Sequence, residues 1–137
     1  MPRWNMFLGS VALGLMACGA PVVGDAVLKT DRGLYVTGSE LSLRLSNESL
    51  QPLGYNLCFS TLQRHVGEAW ETVPLIDNEV CAAIQKRLGP GEESSERRVL
   101  RESLAEGEYR YLTDVEWDGE RQEVTSAPFR VVRPGTP

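Results

Sequence analysis

The sequence predicts an all-β protein: an antiparallel β-sandwich of about seven short strands, with one short helix. Three observations carry that expectation. Apolar side chains recur with period two rather than 3.6, turn-forming residues separate the alternating runs, and long helices of the kind that divide the strands of an α/β fold are missing from the pattern.

The sandwich is expected over residues 26–132. Leu41, Leu43 and Leu45 alternate with Ser42, Arg44 and Ser46, which makes a strand with one buried and one wet face. Tyr55, Leu57 and Phe59 alternate with Asn56, Cys58 and Ser60, and Val66-Gly67-Glu68 reads as a turn into a second strand over residues 69–73, so the two form a hairpin. The helix is expected next: Asp77 can cap it, Val80, Cys81, Ile84 and Leu88 recur at helical spacing, and Gly89-Pro90-Gly91 ends it. Residues 97–101 supply another short strand.

Tyr109, Tyr111, Thr113 and Val115 share one face of a strand that runs into Trp117-Asp118-Gly119-Glu120. Asp-Gly between two β-rich runs signals a hairpin, because both central residues of a type I′ turn need positive φ. The return strand is expected over residues 123–132, with Pro128 marking an edge or a bulge where a ladder donor can be spared. Residues 133–137 read as a frayed tail.

The N-terminus carries a different signal. Arg3 precedes an apolar run over residues 6–17 that is too short to span a bilayer as a helix but suits a signal peptide, and Leu15-Met16-Ala17-Cys18-Gly19 resembles a bacterial lipoprotein cleavage site. The resemblance implies a diacylglyceryl thioether on Cys18, cleavage before it and acylation of the freed amine. Residues 1–17 are then the signal peptide and residues 18–25 a lipidated tether. Gly19 in place of Asp resembles the default for outer-membrane delivery, so the expected location is the cell envelope, at the outer membrane facing the periplasm.

Without residues 1–17 the chain keeps 13 basic and 19 acidic residues, a formal charge of −6. Phosphate binding needs clustered Lys and Arg, so nucleic acid is excluded as a partner, and a basic membrane-binding patch is equally unsupported. Attachment to the membrane must then come from the lipid on Cys18, where each buried CH₂ contributes about 0.8 kcal/mol.

Cys58 and Cys81 remain, an even count in a chain bound for an oxidising compartment, which argues for a disulfide between them. Closing a loop of about 24 residues stabilises a fold by about 3 kcal/mol on the chain-entropy model. Zinc would require three or four ligands, and His65 is the only histidine, so no metal site and no cofactor is expected.

Catalytic motifs are equally scarce. No Gly-x-Ser-x-Gly accompanies His65, which sits beside a turn and reads as solvated. Glu92, Glu93 and Glu96 with Arg97 and Arg98 read as an exposed loop and edge strand rather than an acid–base pair. Trp70 and Trp117 are expected to pack against the sheets, and Asn47, although followed by Glu48-Ser49 in a glycosylation pattern, reads as a turn residue.

Leu104-Ala105-Glu106-Gly107-Glu108-Tyr109 resembles the Leu-x-x-Gly-x-Tyr corner of immunoglobulin and fibronectin type III sandwiches, in which the tyrosine hydroxyl bonds back to upstream backbone. With Gly38-Ser39-Glu40, Tyr55-Asn56-Leu57-Cys58, Trp70, Pro90-Gly91 and the run over residues 126–131, the layout resembles small bacterial Ig-like lipoprotein domains. That resemblance implies an Ig-like β-sandwich with Leu104, Gly107 and Tyr109 as its tyrosine corner. Tyr111 stands where an antibody-type domain has its second inter-sheet cysteine, so the Cys58–Cys81 pair is a local staple instead.

The function these features imply is that of a non-catalytic, lipid-anchored binding or structural module with an envelope protein as its partner. Contact is expected first at the hairpin tips around residues 65–68 and at Asp118-Gly119. The alternative is a proteinase inhibitor, since the sandwich also resembles the Ig-like proteinase inhibitors of bacilli, which present an exposed loop to a protease.

Overall fold

The computed structural model describes residues 25–74 and 80–135. Two layers, antiparallel except for one edge pair, enclose one core. The smaller sheet consists of β1 (Ala26–Thr30), β3 (Glu40–Asn47) and β8 (Glu93–Val99), in the order β1-β3-β8. The larger is built around β9 (Gly107–Trp117) and contains β2 (Leu34–Val36), β4 (Leu53–Tyr55), β5 (Thr61–Val66), β6 (Ala69–Thr72), β7 (Lys86–Leu88), β10 (Glu120–Thr125) and β11 (Phe129–Val132).

Strand β9 is paired along both edges. On one side β10 covers its C-terminal half and β11 its N-terminal end; on the other, β5 pairs with residues 109–112 and β4 with residues 115–116. Beyond these, β6 adds to β5, β7 adds to β4, and β2 joins β11 in parallel. Alternation along β9 sends Tyr109, Tyr111, Thr113, Val115 and Trp117 inward, where all five are buried. All but Thr113 belong to one apolar cluster with Leu41, Leu43 and Leu45 of β3, as the period-two pattern requires of two stacked sheets. Phe129 of β11 stands edge-on to Tyr35 and lies over Tyr111, with ring centres 5.4 Å and 5.9 Å apart.

Local chemistry sets the connections. Asp118 and Gly119 adopt φ of 50° and 80°, the positive pair that a type I′ turn between β9 and β10 demands. Asn47 is fully buried at the end of β3. Its amide donates to the carbonyls of Gln51 (2.8 Å) and Leu88 (3.0 Å), and its carbonyl accepts from the backbone and hydroxyl of Ser49. Trp117 Nε1 reaches the same hydroxyl at 3.3 Å, so one asparagine ties β3, the following loop, β7 and β9 together. It is thus an interior turn residue and no exposed acceptor for a glycan. At the other end, Tyr35 donates to Asp31 Oδ1 at 2.6 Å, and that bond, with the Ser42 amide, holds the Asp31 carboxyl below its ordinary range.

Four sequence expectations need correction. Asp77 lies outside the described residues, but residues 80–85 have no helical turn, Val80 and Ile84 are 89% and 61% exposed, and Lys86–Leu88 is a strand. The carbonyls of Ala82 and Ile84 that a helix would use internally are taken by the Asn56 amide instead, and Leu88 is held opposite Leu53 in the β4–β7 ladder. Among the described residues the single helical turn is a 3-10 turn at Leu57–Phe59, so the run from Tyr55 to Phe59 is not one strand. The return strand breaks at Ser126-Ala127-Pro128 into β10 and β11, since Pro128 has no donor for the ladder. Finally, the strand expected over residues 97–101 lies four residues earlier at its start, as β8, because its partner β3 extends to Ser46 opposite Glu93.

Replacing Asn47 with Ala strands its buried partners without hydrogen bonds. The expected loss is about 2–4 kcal/mol in urea unfolding. A loss below about 0.5 kcal/mol would mean that the network does not hold the sheets together.

Candidate functional site

The outer face of the larger sheet carries a trough of about 430 Å³. Its floor is β9, whose alternation that buries Val115 turns Asp114 and Glu116 outward. Arg121 of β10, opposite Glu116 in register, stands at one margin, and Phe59 with residues 83–85 forms the facing wall.

The wall exists because the strand opposite β9 is interrupted. Tyr55 lies opposite Val115 and Thr61 opposite Leu112, so six residues of one strand span three of the other, and the excess is absorbed in the 3-10 turn. Asn56 caps that turn by accepting from Cys58 N at 3.0 Å. The turn leaves Leu57 buried but aims Phe59 into solvent, 57% exposed.

Three attachments then hold residues 81–85 against it. Cys81 is disulfide-bonded to Cys58, with Cα atoms 5.7 Å apart. The Asn56 amide donates to the carbonyls of Ala82 and Ile84, both at 2.9 Å. Gln85 lies across Gly54 and donates to Glu116 Oε2 at 3.1 Å; a Cβ on residue 54 would meet Gln85 Nε2 at 2.5 Å, so a larger residue there would displace the Gln85 side chain. From the other layer, Arg98 donates to the carbonyls of Leu57 and Cys58 at 2.6 Å and 2.8 Å, which fixes the turn from beneath.

The result places two large exposed apolar side chains, Phe59 and Ile84, in the wall of a hollow also lined by the carboxylates of Asp114 and Glu116. Among the described residues, neither Asp114 nor Glu116 lies within 4.0 Å of a basic nitrogen. The trough is suited to noncovalent binding. It contains no nucleophile beside a base, and among the described residues no group of His, Cys, Asp and Glu could hold a metal ion.

The other residues singled out in the sequence do not converge there. Cys18 lies outside the described residues. Tyr109 donates to the Ala105 carbonyl at 2.6 Å, Leu104 is buried, and at Gly107 a Cβ would stand 3.1 Å from Arg64 Nε. This is corner geometry at the far end of β9 from the trough. His65 bonds to Glu108 at 2.8 Å and stacks on Trp70, whose ring also carries Arg110 at 4.4 Å. Glu92 accepts from Gly89 N, Glu93 from Ser46, and Arg98 donates to the 3-10 turn. Of the two hairpin tips, Asp118-Gly119 borders a second, smaller hollow beyond Gln85, while residues 65–68 lie away from it. Sequence reasoning missed the wall because it read residues 80–88 as helix; the signal that could have found it was Asn56 beside Cys58, a capping residue next to a cysteine.

A family model described as "Bacterial Ig-like domain" matches residues 25–130. The chain belongs to the bacterial Ig-like domain family. Among solved structures it is similar to a Salmonella enterica SafA pilin in complex with the SafB chaperone, at 15% identity and a TM-score of 0.51, covering 84% of this chain and 57% of that one. It is also similar to the putative ApaA protein of Bordetella pertussis, at 18% identity and a TM-score of 0.49, covering 83% and 98%. No curated protein matches the chain. The pilin–chaperone likeness supports the Ig-like sandwich as a fold and nothing finer. Within this family fold, Tyr111 is buried against Phe129, and the disulfide joins the 3-10 turn to the trough wall.

Replacing Cys58 and Cys81 with Ser should lower stability by about 3 kcal/mol in urea unfolding while far-ultraviolet circular dichroism stays that of a β protein. Loss of the β signal would show that the bond supports the whole sandwich rather than one wall.

Proposed function

We propose that this Ig-like domain is a non-catalytic binding module of the bacterial cell envelope, anchored through a lipid on Cys18 and engaging an envelope protein at the trough. The observation that carries the binding reading is the exposure of Phe59 and Ile84 on a segment stapled by a disulfide and two hydrogen bonds. Water-exposed apolar side chains of that size gain nothing for the fold, yet a disulfide and an asparagine clamp hold them in place. The supporting observation for the anchor is the run Leu15-Met16-Ala17-Cys18 followed by Gly19, which points to the outer membrane and its periplasmic face. The tether of residues 18–25 would keep the trough close to the bilayer, where a high effective concentration turns a modest affinity into lasting occupancy.

The test pairs fractionation with in-cell photocrosslinking. The native chain should sediment with membranes and Cys18→Ala should not, and benzoylphenylalanine in place of Phe59 should capture an envelope protein that the same probe in place of Lys29 does not. Equal solubility of both forms refutes the anchor, and equal capture from both positions refutes the trough as the contact surface.

A further inference from the structure

We propose that the trough receives the side chain of a lysine or arginine presented by a segment of the partner protein, its aliphatic stem along Phe59 and Ile84 and its charged head between Asp114 and Glu116. The proposal rests on the trough being the contact surface and deepens that reading by naming what enters it.

Charge is the first argument. Asp114 and Glu116 are two apart on one strand and face the same way, so their carboxylates stand about 7 Å apart, near enough for one cation to lie close to both. Glu116 already accepts from Gln85 through Oε2, which orients it and leaves Oε1 open. Arg121 at the margin contributes one positive charge against these two, and Glu116 also borders the adjoining hollow that Arg87 and Asp118 line. The trough thus keeps a negative excess, with Asp114 and Glu116 set against Arg121.

Shape is the second. A cation alone needs no apolar wall, and an apolar side chain needs no carboxylate floor. Phe59 and Ile84 line the same trough as the acids, so the site sets exposed apolar surface beside carboxylates. Long basic side chains combine the matching parts, a methylene stem ending in a charge, and a guanidinium or ammonium can also lie against the face of Phe59. A volume of about 430 Å³ is in the range of sites that enclose such groups. The alternative platform on the same sheet face is already occupied, because the ring of Trp70 packs against His65 and Arg110 of the chain itself.

The test uses the full-length chain in nonionic detergent, titrated by NMR with three acetylated, amidated tripeptides: Leu-Arg-Leu, its Gln counterpart and its Glu counterpart. The Arg peptide should shift the amides of residues 83–85 and 114–116 and bind at least fivefold more tightly than the Gln peptide, with the Glu peptide weakest. Asp114→Asn with Glu116→Gln should weaken the Arg peptide three- to thirtyfold while leaving the other amide resonances in place, and Arg121→Gln should tighten it. Equal binding of the three peptides, or shifts confined to other surfaces, overturns the proposal. Binding of spermidine as tight as that of the Arg peptide also overturns it, since the occupant would then be a free polyamine. Crosslinking from position 59 that survives any of these outcomes would leave the trough as the contact surface with a different occupant.

Discussion

Period-two alternation along β9 is the constraint on which everything else depends. A strand paired on both edges cannot slip by one residue without sending its whole inward set to solvent. In β9 that would expose Tyr109, Tyr111, Val115 and Trp117 and bury Glu108, Asp114 and Glu116. The register that makes the core therefore also makes the floor of the trough. Neither set can be moved separately, and the acids of the outer face are held as firmly as the aromatic rings beneath them.

The second layer of organisation is an interruption. An unbroken strand opposite β9 would have continued the ladder from Tyr55 straight to Thr61 and left a flat sheet face. Asn56 prevents this by capping a single 3-10 turn, and the same side chain captures the carbonyls of Ala82 and Ile84. Cys58 sits within that turn, and its disulfide to Cys81 draws the segment ahead of β7 against it. In antibody-type domains the comparable bond joins the two sheets. Here Tyr111 is buried in the interior and the bond joins a 3-10 turn to a surface wall.

The sequence made the strands with strict alternation legible. Leu41, Leu43 and Leu45 on β3, the Asp118-Gly119 turn and the spacing from Leu104 to Tyr109 each report a local rule that the tertiary structure does not override. What it concealed are features where a side chain competes with the backbone. Residues 80–88 carry helical spacing, yet Asn56 and Cys58, more than twenty positions away, take over the groups a helix would need. Phe59 belongs to an apolar alternation and still points outward, because one turn of 3-10 helix rotates it. Asn47 looked like a turn residue and is one, but nothing in its neighbours tells that it is buried with every polar atom satisfied. The candidate site was illegible for the same reason: its wall is made by long-range contacts.

Amide hydrogen exchange on the native chain, before and after selective reduction of the Cys58–Cys81 bond, tests most directly the claim that β9 organises a core while a stapled segment builds the site upon it. The account predicts the slowest exchange in β3 and β9 in both states, with residues 56–59 and 82–85 losing protection on reduction. Protection of β9 no greater than that of residues 82–85 in the oxidised chain, or loss of both together on reduction, would contradict it.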